Sequence, residues 1–140
     1  MYKKILIAND GSDSARKALE VAISLAKCYG AELHSISVEE GLPHYAATIG
    51  EVDEYRKEAN DYFKRISDEA VELARQEGVE LHAHVTVGHE VETIITYTRK
   101  GAYDLLVIGF MGHSKIFDRV WGSTSQNLTR LSPCTVVLVK

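Results

Sequence analysis

Cysteine is scarce in this chain, with two residues among 140. Cys28 and Cys134 stand far apart, and no Cys-x-x-Cys pair is present. Two isolated cysteines are too few for a domain built on disulfides or for a zinc ribbon. We therefore expect two buried, unpaired thiols, as is usual in a reducing compartment.

Long apolar runs and an excess of basic charge are also missing. No apolar run approaches the ~18 residues of a membrane-spanning helix, and the apolar stretch between Lys4 and Asn9 is too short for a signal peptide. We therefore expect a cytoplasmic protein with no membrane partner. The net charge is −4, which argues against nucleic acid as a partner, because a general nucleic-acid binder carries a basic patch.

The parts of a nucleotide-hydrolysing enzyme are lacking as well. No G-x4-G-K-[S/T] segment is present, so the lysine that reaches the β- and γ-phosphates in a P-loop is absent. No carboxylate is clearly placed to orient an attacking water, and no arginine finger can be identified. We expect no catalytic residue and, at most, a slow ATPase.

What the chain does contain is a regular alternation of strand and helix patterns. Short apolar or alternating runs predict strands, and apolar residues at spacings of three and four predict helices. The predicted strands are 4–8, 32–38, 79–87, 104–108 and 135–139. The predicted helices run from Ser12 or Ser14 to Gly30, from 51 to 76, from 91 to Gly101, and from 123 to 130. The third strand is expected to bury one face.

This alternation predicts one α/β domain over residues 1–140. Five strands separated by helices indicate a parallel sheet with helices on both faces. The segment 40–50 has little periodicity and predicts a loop that is long for a compact domain. Because it follows Val38, we expect it to close over a ligand bound at the end of the second strand.

Two polar, glycine-bearing loops select the strand order. Residues 9–12 follow the first strand, and residues 109–113 follow the fourth. Ligands of open parallel sheets bind at the carboxyl ends of the strands, where the order reverses. Only the order 3-2-1-4-5 brings these two loops together, so we predict that order.

The late glycines form the pattern G-x2-G-x9-G-[S/T], made by Gly109, Gly112, Gly122 and Ser123. Glycine backbone can turn with positive φ and lie against an oxyanion, and successive N–H groups there form an anion nest. The segment from Gly122 to Thr124 also opens the last predicted helix, whose free N–H groups attract phosphate. The Ser and Thr hydroxyls add donors or hold a phosphate-bound Mg²⁺.

This pattern resembles the ATP loop of the universal stress protein family. The opening segment 4–12 is similar to that family's first strand and Asp-Gly-Ser turn, and 132–134 with the following strand is similar to its C-terminus. The resemblance covers the whole chain. It implies a Rossmann-like or flavodoxin-like three-layer domain, a homodimer and, for members with this loop, ATP binding.

The resemblance also implies site residues. Asp10, followed by Gly11, matches the residue that contacts the ribose, and Val38 matches the one whose backbone recognises adenine. Gly109 matches the ribose-side glycine. The phosphate cradle is matched by Gly112, Gly122, Ser123 and Thr124, with His113 inside the same loop. Asn9 and the segment 113–115 depart from the family pattern without removing a backbone donor.

Plainer interpretations exist for several of these residues. Asp10 also suits a turn or helix cap, and His113 also suits a solvent-exposed position. His82 and His84 lie two apart on one face of the third strand, a spacing compatible with a metal. A third ligand is not evident in the sequence, so we expect a polar sheet face and no metal site.

Three functions follow from these observations. The first is an ATP-dependent sensor or switch that hydrolyses little or no ATP and has an unknown protein partner. The second is an adenylating enzyme, because residues 10–14 are faintly similar to the ATP-pyrophosphatase loop. The third is a structural dimer that binds no nucleotide.

Overall fold

A computed structural model describes residues 1–41, 49–110 and 123–140. Within these ranges, five strands and four helices follow one another along the chain. They are β1 (Lys4–Ala8), α1 (Asp13–Tyr29), β2 (Glu32–Glu39), α2 (Ile49–Gln76), β3 (Leu81–Val87), α3 (Glu90–Lys100), β4 (Leu105–Gly109), α4 (Ser123–Leu131) and β5 (Thr135–Val139).

Local chemistry fixes both ends of α1. The Ser12 side chain accepts a hydrogen bond from the Ala15 N–H at 3.1 Å and so caps the first turn. Gly30 ends the helix with φ of 63°, in the left-handed region, and its N–H donates to the Ala26 carbonyl. These caps confirm Ser12, rather than Ser14, as the start of the helix.

The sheet has the predicted strand order. Its five strands are parallel and run in the order β3-β2-β1-β4-β5. Ile7 of β1 pairs with Val107 of β4, so the two strands end side by side where the order reverses. The three-layer α/β fold and the 3-2-1-4-5 order are therefore confirmed.

Side chains alternate between two cores, one on each face of the sheet. Ile5 and Ile7 of β1 face a cluster that includes Leu19 of α1 and Ala70 of α2. Leu6 faces the opposite cluster, which contains residues of α3, α4, β2 and β4, namely Ile94, Leu128, Ile36 and Leu106. Because both faces are covered, β4 and the part of β1 that follows Lys4 are uninterrupted apolar runs.

Several element boundaries differ from the sequence prediction by one or two residues, and the two largest shifts are at the starts of α2 and β3. Ile49 and Gly50 belong to α2 instead of the predicted loop, and residues 42–48 of that loop lie outside the described ranges. Val79 precedes β3, because its N–H donates to the Ala74 carbonyl at the end of α2 instead of entering the sheet.

The prediction of one buried face for β3 is wrong over its second half. Val85 and Val87 are 46% and 66% exposed. β3 is an edge strand, and α2 covers only its beginning, where Leu81 packs with Ala70 and Ala74. The carboxyl-terminal half of the strand therefore keeps its valines at the surface.

The prediction of buried thiols is also wrong. Cys28 is exposed and Cys134 is half-buried, and both are free, as expected. α1 turns its alanine and leucine stripe to the sheet, which leaves Cys28 on the outer face. Among the described helices, none is long and apolar enough to cross a bilayer.

Candidate nucleotide site

The turn after β1 is held rigidly by Asn9. This residue is buried, and its N–H donates to the Ile36 carbonyl at 2.9 Å. Its carbonyl accepts from the Ser37 hydroxyl at 2.6 Å, and its side-chain Oδ1 accepts from the Gly11 N–H at 3.1 Å. Asn9 thus ties the end of β1 to β2, which explains a polar residue at this position.

Asp10 takes part in the same turn. Its Oδ1 accepts a hydrogen bond from the Ser12 N–H at 2.9 Å, and its carbonyl accepts one from the Tyr62 hydroxyl of α2. Burial, and then the negative charge of Asp10, raise the pKa of Tyr62. The turn role expected for Asp-Gly-Ser is therefore present, whereas the ribose contact stays a prediction.

Gly11 is required by packing as well as by conformation. Its φ is +79°, and a Cβ built on it would lie 2.9 Å from Ile66 Cγ2 and against the Tyr62 hydroxyl. α2 therefore lies directly on this turn. A pocket beside the turn lies between α1 and α2, where Arg16 and Glu69 form an ion pair at 2.8 Å.

Gly109 ends β4 where it passes the start of α1. A Cβ on Gly109 would lie 2.5 Å from Ser14 Oγ and 2.8 Å from the Ser14 backbone. The next residue, Phe110, donates its N–H to the Val139 carbonyl at 2.8 Å, which keeps the chain in the sheet for one residue more. The polar ends of β1 and β4 are thus adjacent.

Ser125 joins this strand end to α4. Its hydroxyl lies 2.8 Å from the Gly109 carbonyl and 3.1 Å from the Phe110 carbonyl, and the residue is buried. The glycine pattern in the sequence does not include this residue. Its spacing of three from the buried Leu128 is a signal that it faces inward on α4.

Of the six remaining predicted residues, the structure describes three and leaves three outside its described ranges. Ser123 and Thr124 begin α4, exposed and half-buried respectively, where helix N–H groups have no partner within the helix. Val38 is half-buried near the end of β2 and packs against the α3–α4 side of the sheet. Gly112, His113 and Gly122 lie outside the described ranges.

Comparison with known proteins identifies the family. The sequence profile of the Universal stress protein family matches residues 1–140. The chain belongs to the universal stress protein family. The match spans every element described above.

Individual relatives agree with this assignment. "Universal stress protein YxiE" of Bacillus subtilis is 32% identical over 148 aligned positions, with all of both chains covered. The solved structure of universal stress protein UspA from Lactobacillus plantarum superposes with a TM-score of 0.89 at 23% identity, covering 99% of this chain and 98% of that one. A universal stress protein solved in complex with cAMP has a TM-score of 0.77 at 28% identity, covering 99% and 97%.

Proposed function

We propose that this universal stress protein binds ATP and acts as a nucleotide-dependent sensor or switch with little or no hydrolysis. The observation that carries the proposal is the convergence of three backbone segments where the strand order reverses. These are the turn 9–12 after β1, Gly109 and Phe110 at the end of β4, and the start of α4, which Ser125 links to β4. Parallel sheets bind ligands at such a point.

In this proposal, the ligand-binding residues are those that the family resemblance implies. Asp10 and Gly11 lie by the ribose, the Val38 backbone reads adenine, and Gly109 lies on the ribose side. The phosphates are held by backbone N–H groups and hydroxyls at the start of α4, with Mg²⁺ neutralising phosphate charge. The proposed cradle comprises Gly112, His113, Gly122, Ser123 and Thr124.

A related complex supports the nucleotide class. The universal stress protein solved with cAMP is 28% identical to this chain, and cAMP shares adenine, ribose and one phosphate with ATP. It lacks the β- and γ-phosphates, which the proposed cradle would bind through charge-assisted hydrogen bonds of about 1.5–3 kcal/mol each. Mg-ATP should therefore bind this chain more tightly than cAMP or AMP.

The proposal of a switch instead of an enzyme rests on the kind of phosphate contact that the loop would make. A backbone nest binds the ground state and the transition state of a phosphate almost alike, and uniform binding does not raise kcat. Phosphoryl transfer also needs a positioned nucleophile and compensation for developing charge. ATP is thus proposed as a ligand that shifts a conformational equilibrium through its differential affinity.

Calorimetry tests the binding site. The Ser123→Ala/Thr124→Ala double variant removes both hydroxyls at the start of α4 and should weaken Mg-ATP binding by about tenfold or more. Gln126→Ala, an exposed change on the same helix, is the matched control and should bind like the wild type. Gly122→Val should abolish binding, because its side chain blocks backbone approach. Unchanged affinity in both test variants would refute the site.

Product analysis tests the switch against the alternatives. Steady-state turnover at or above ~1 s⁻¹, the low end of ordinary enzymes, contradicts the switch. Pyrophosphate as the product favours the adenylating enzyme. Absence of binding to ATP, AMP and cAMP alike favours the structural dimer.

The homodimer is part of the same proposal. β5 is at one edge of the sheet, and four of its five residues are half-buried in the single chain. A short apolar edge strand offers unpaired N–H and C=O groups to a second copy. Pairing of two β5 strands about a twofold axis would satisfy these groups and cover the strand.

A further inference from the structure

A cluster of histidines lies at the opposite end of the sheet from the proposed nucleotide site. Glu32 is the first residue of β2, and the register pairs His34 of β2 with His82 of β3. His34 lies on the face that also carries Ile36, toward α3. The pairing of β2 with β3 therefore places Glu32 and His34 next to His82. The spacing of His82 and His84 in the sequence could not show these two further ligands.

We propose that Glu32, His34 and His82 bind a divalent transition-metal ion of the Zn²⁺ type. One ligand atom from each of the three residues lies within 4.8 Å of the others. Two imidazoles and a carboxylate form a donor set that zinc accepts, with a fourth position left to water. This site is separate from the nucleotide site and does not depend on it.

The closest pair of atoms shows where the ion fits. His34 Nε2 lies 2.7 Å from Glu32 Oε1. An ionised carboxylate only accepts hydrogen bonds, so the proton lies on Nε2 in this arrangement. Ligands of a tetrahedral zinc ion stand roughly 3.3 Å apart, from bond lengths near 2.0–2.1 Å. A small outward movement of the exposed Glu32 makes room for the ion, which binds the Nε2 lone pair as the neutral His34 ring changes tautomer and carries its one proton on Nδ1 instead.

His84 orients the central ligand. Its Nε2 lies 2.9 Å from His34 Nδ1, and the two rings stack at a centroid distance of 5.2 Å. A neutral imidazole bound to metal through Nε2 carries its proton on Nδ1, which donates to His84 Nε2. Metal-ligating histidines regularly make such a second hydrogen bond. Tyr103 packs edge-on against the His34 ring and limits its rotation.

Access and charge also fit an ion from solution. The side chains of Glu32 and His82 are 54% and 43% exposed, so an ion can reach them from solvent. The side chain of His34 is only 12% exposed and is the buried ligand of the proposed site. Glu80 Oε1 lies 4.0 Å from His82 Nε2 and adds negative charge. One cation lies nearby: Lys4 Nζ donates to the Gly101 carbonyl at 2.8 Å and lies 4.6 Å from the centre of the Tyr103 ring.

Zinc calorimetry on the chelator-treated full chain tests the proposal. The wild type should bind one Zn²⁺ at this site, and His82→Ala should lower that affinity at least about tenfold. The matched control is His89→Ala, an exposed histidine at the start of α3 whose side chain makes no capping hydrogen bond. The control should bind like the wild type, and circular dichroism should show all variants folded.

Histidine ring ¹⁵N spectra identify the ligands independently of total binding. Zinc should shift the ring nitrogens of His34 and His82 and leave those of His89 in place. His84→Phe should change the tautomer signature of His34 and weaken zinc binding roughly tenfold. The proposal is overturned if the wild type binds no zinc, if His82→Ala binds it equally well, or if the spectra show zinc on other histidines.

Discussion

Gly109 has two separate reasons to be glycine. The residue belongs to the G-x2-G-x9-G-[S/T] pattern, and a Cβ on it would lie 2.8 Å from the Ser14 backbone, a distance that no Cβ tolerates. Gly11 is similar, since α2 occupies the space of its missing side chain. A glycine in a motif is therefore not by itself a measure of ligand contact, and substitutions here report stability first.

Gly109→Ala should lower the free energy of unfolding by about 1–3 kcal/mol, the usual cost of overpacking. Gly50→Ala is the control, because the residue is in a helix and, among the described residues and apart from its chain neighbours and its own helix backbone, no heavy atom lies within 4 Å of the position that its Cβ would take. Alanine there should be neutral or stabilising by up to about 1 kcal/mol. Urea unfolding measures both, and equal stabilities would contradict the contact with Ser14.

Ser125→Ala should cost about 0.5–1.5 kcal/mol, because it removes the one hydroxyl proton that its contacts with two carbonyls use. The hydroxyl is shared between the Gly109 and Phe110 carbonyls, so the loss removes the link between β4 and α4. Gln126→Ala, its exposed neighbour, should change stability by less than about 0.5 kcal/mol. Denaturant midpoints that coincide for the two variants would show that the link contributes nothing.

At the scale of elements, the sequence predicts what depends on periodicity and caps, and it misses what depends on contacts across the sheet. The strand order follows from two polar loops, and the start of α1 follows from Ser12. The exposed valines of β3 could not be predicted, because their burial depends on where α2 crosses the edge. The hydrogen bonds of Asn9 to β2 and of Ser125 to the end of β4 join different elements, so no local pattern shows them.

The contact between α2 and the β1 turn predicts a pH dependence. The folded state raises the pKa of Tyr62 above its ordinary value of 10.0, through burial and Asp10. Above about pH 10 the unfolded chain therefore loses this proton before the folded one, and stability falls as pH rises. Below about pH 10 the contribution is fully present.

Tyr62→Phe removes this titration. The variant should be less stable than the wild type at neutral pH, by about 0.5–1.5 kcal/mol for the lost hydrogen bond to the Asp10 carbonyl. Its stability should decline less steeply above about pH 10. Tyr55→Phe, on the same helix, should follow the wild type. Urea unfolding measures the free energy of unfolding of each protein across this pH range. If that free energy falls equally steeply for Tyr62→Phe and the wild type, ionisation of Tyr62 does not affect stability.

The whole molecule presents two chemically different ends. The carboxyl ends of β1, β2 and β4 carry the turn, Val38 and the start of the glycine loop, whereas the amino ends of β2 and β3 carry the histidine cluster. The two proposed sites share β2, since Glu32 and His34 are near its start and Val38 is near its end. Occupation of one site need not block the other.

The edge strand β5 is the proposed dimer interface. The hydrogen bonds between β5 and β4 show which β5 residues have outward-facing backbone groups, and so which substitution tests the interface. The Val139 carbonyl accepts from the Phe110 N–H, so Val139 points its backbone groups at β4. Backbone groups alternate in direction along a strand. Val137 therefore also faces β4, and the outward-facing residues are Val136 and Leu138. A proline at Val137 would remove an N–H that faces β4 and would therefore damage the sheet itself.

Leu138→Pro should abolish dimerisation through β5. Proline removes the outward N–H and places its ring at the edge, so the second copy loses one hydrogen bond at each of two equivalent positions. Leu138→Ala is the matched control, because it loses the same packing against the α3–α4 side but keeps the N–H. Sedimentation at tens of micromolar, roughly the range where weak interfaces form, should show dimers for the wild type and Leu138→Ala and monomers for Leu138→Pro. A monomeric wild type, or a Leu138→Pro variant that still dimerises, would exclude this edge as the interface.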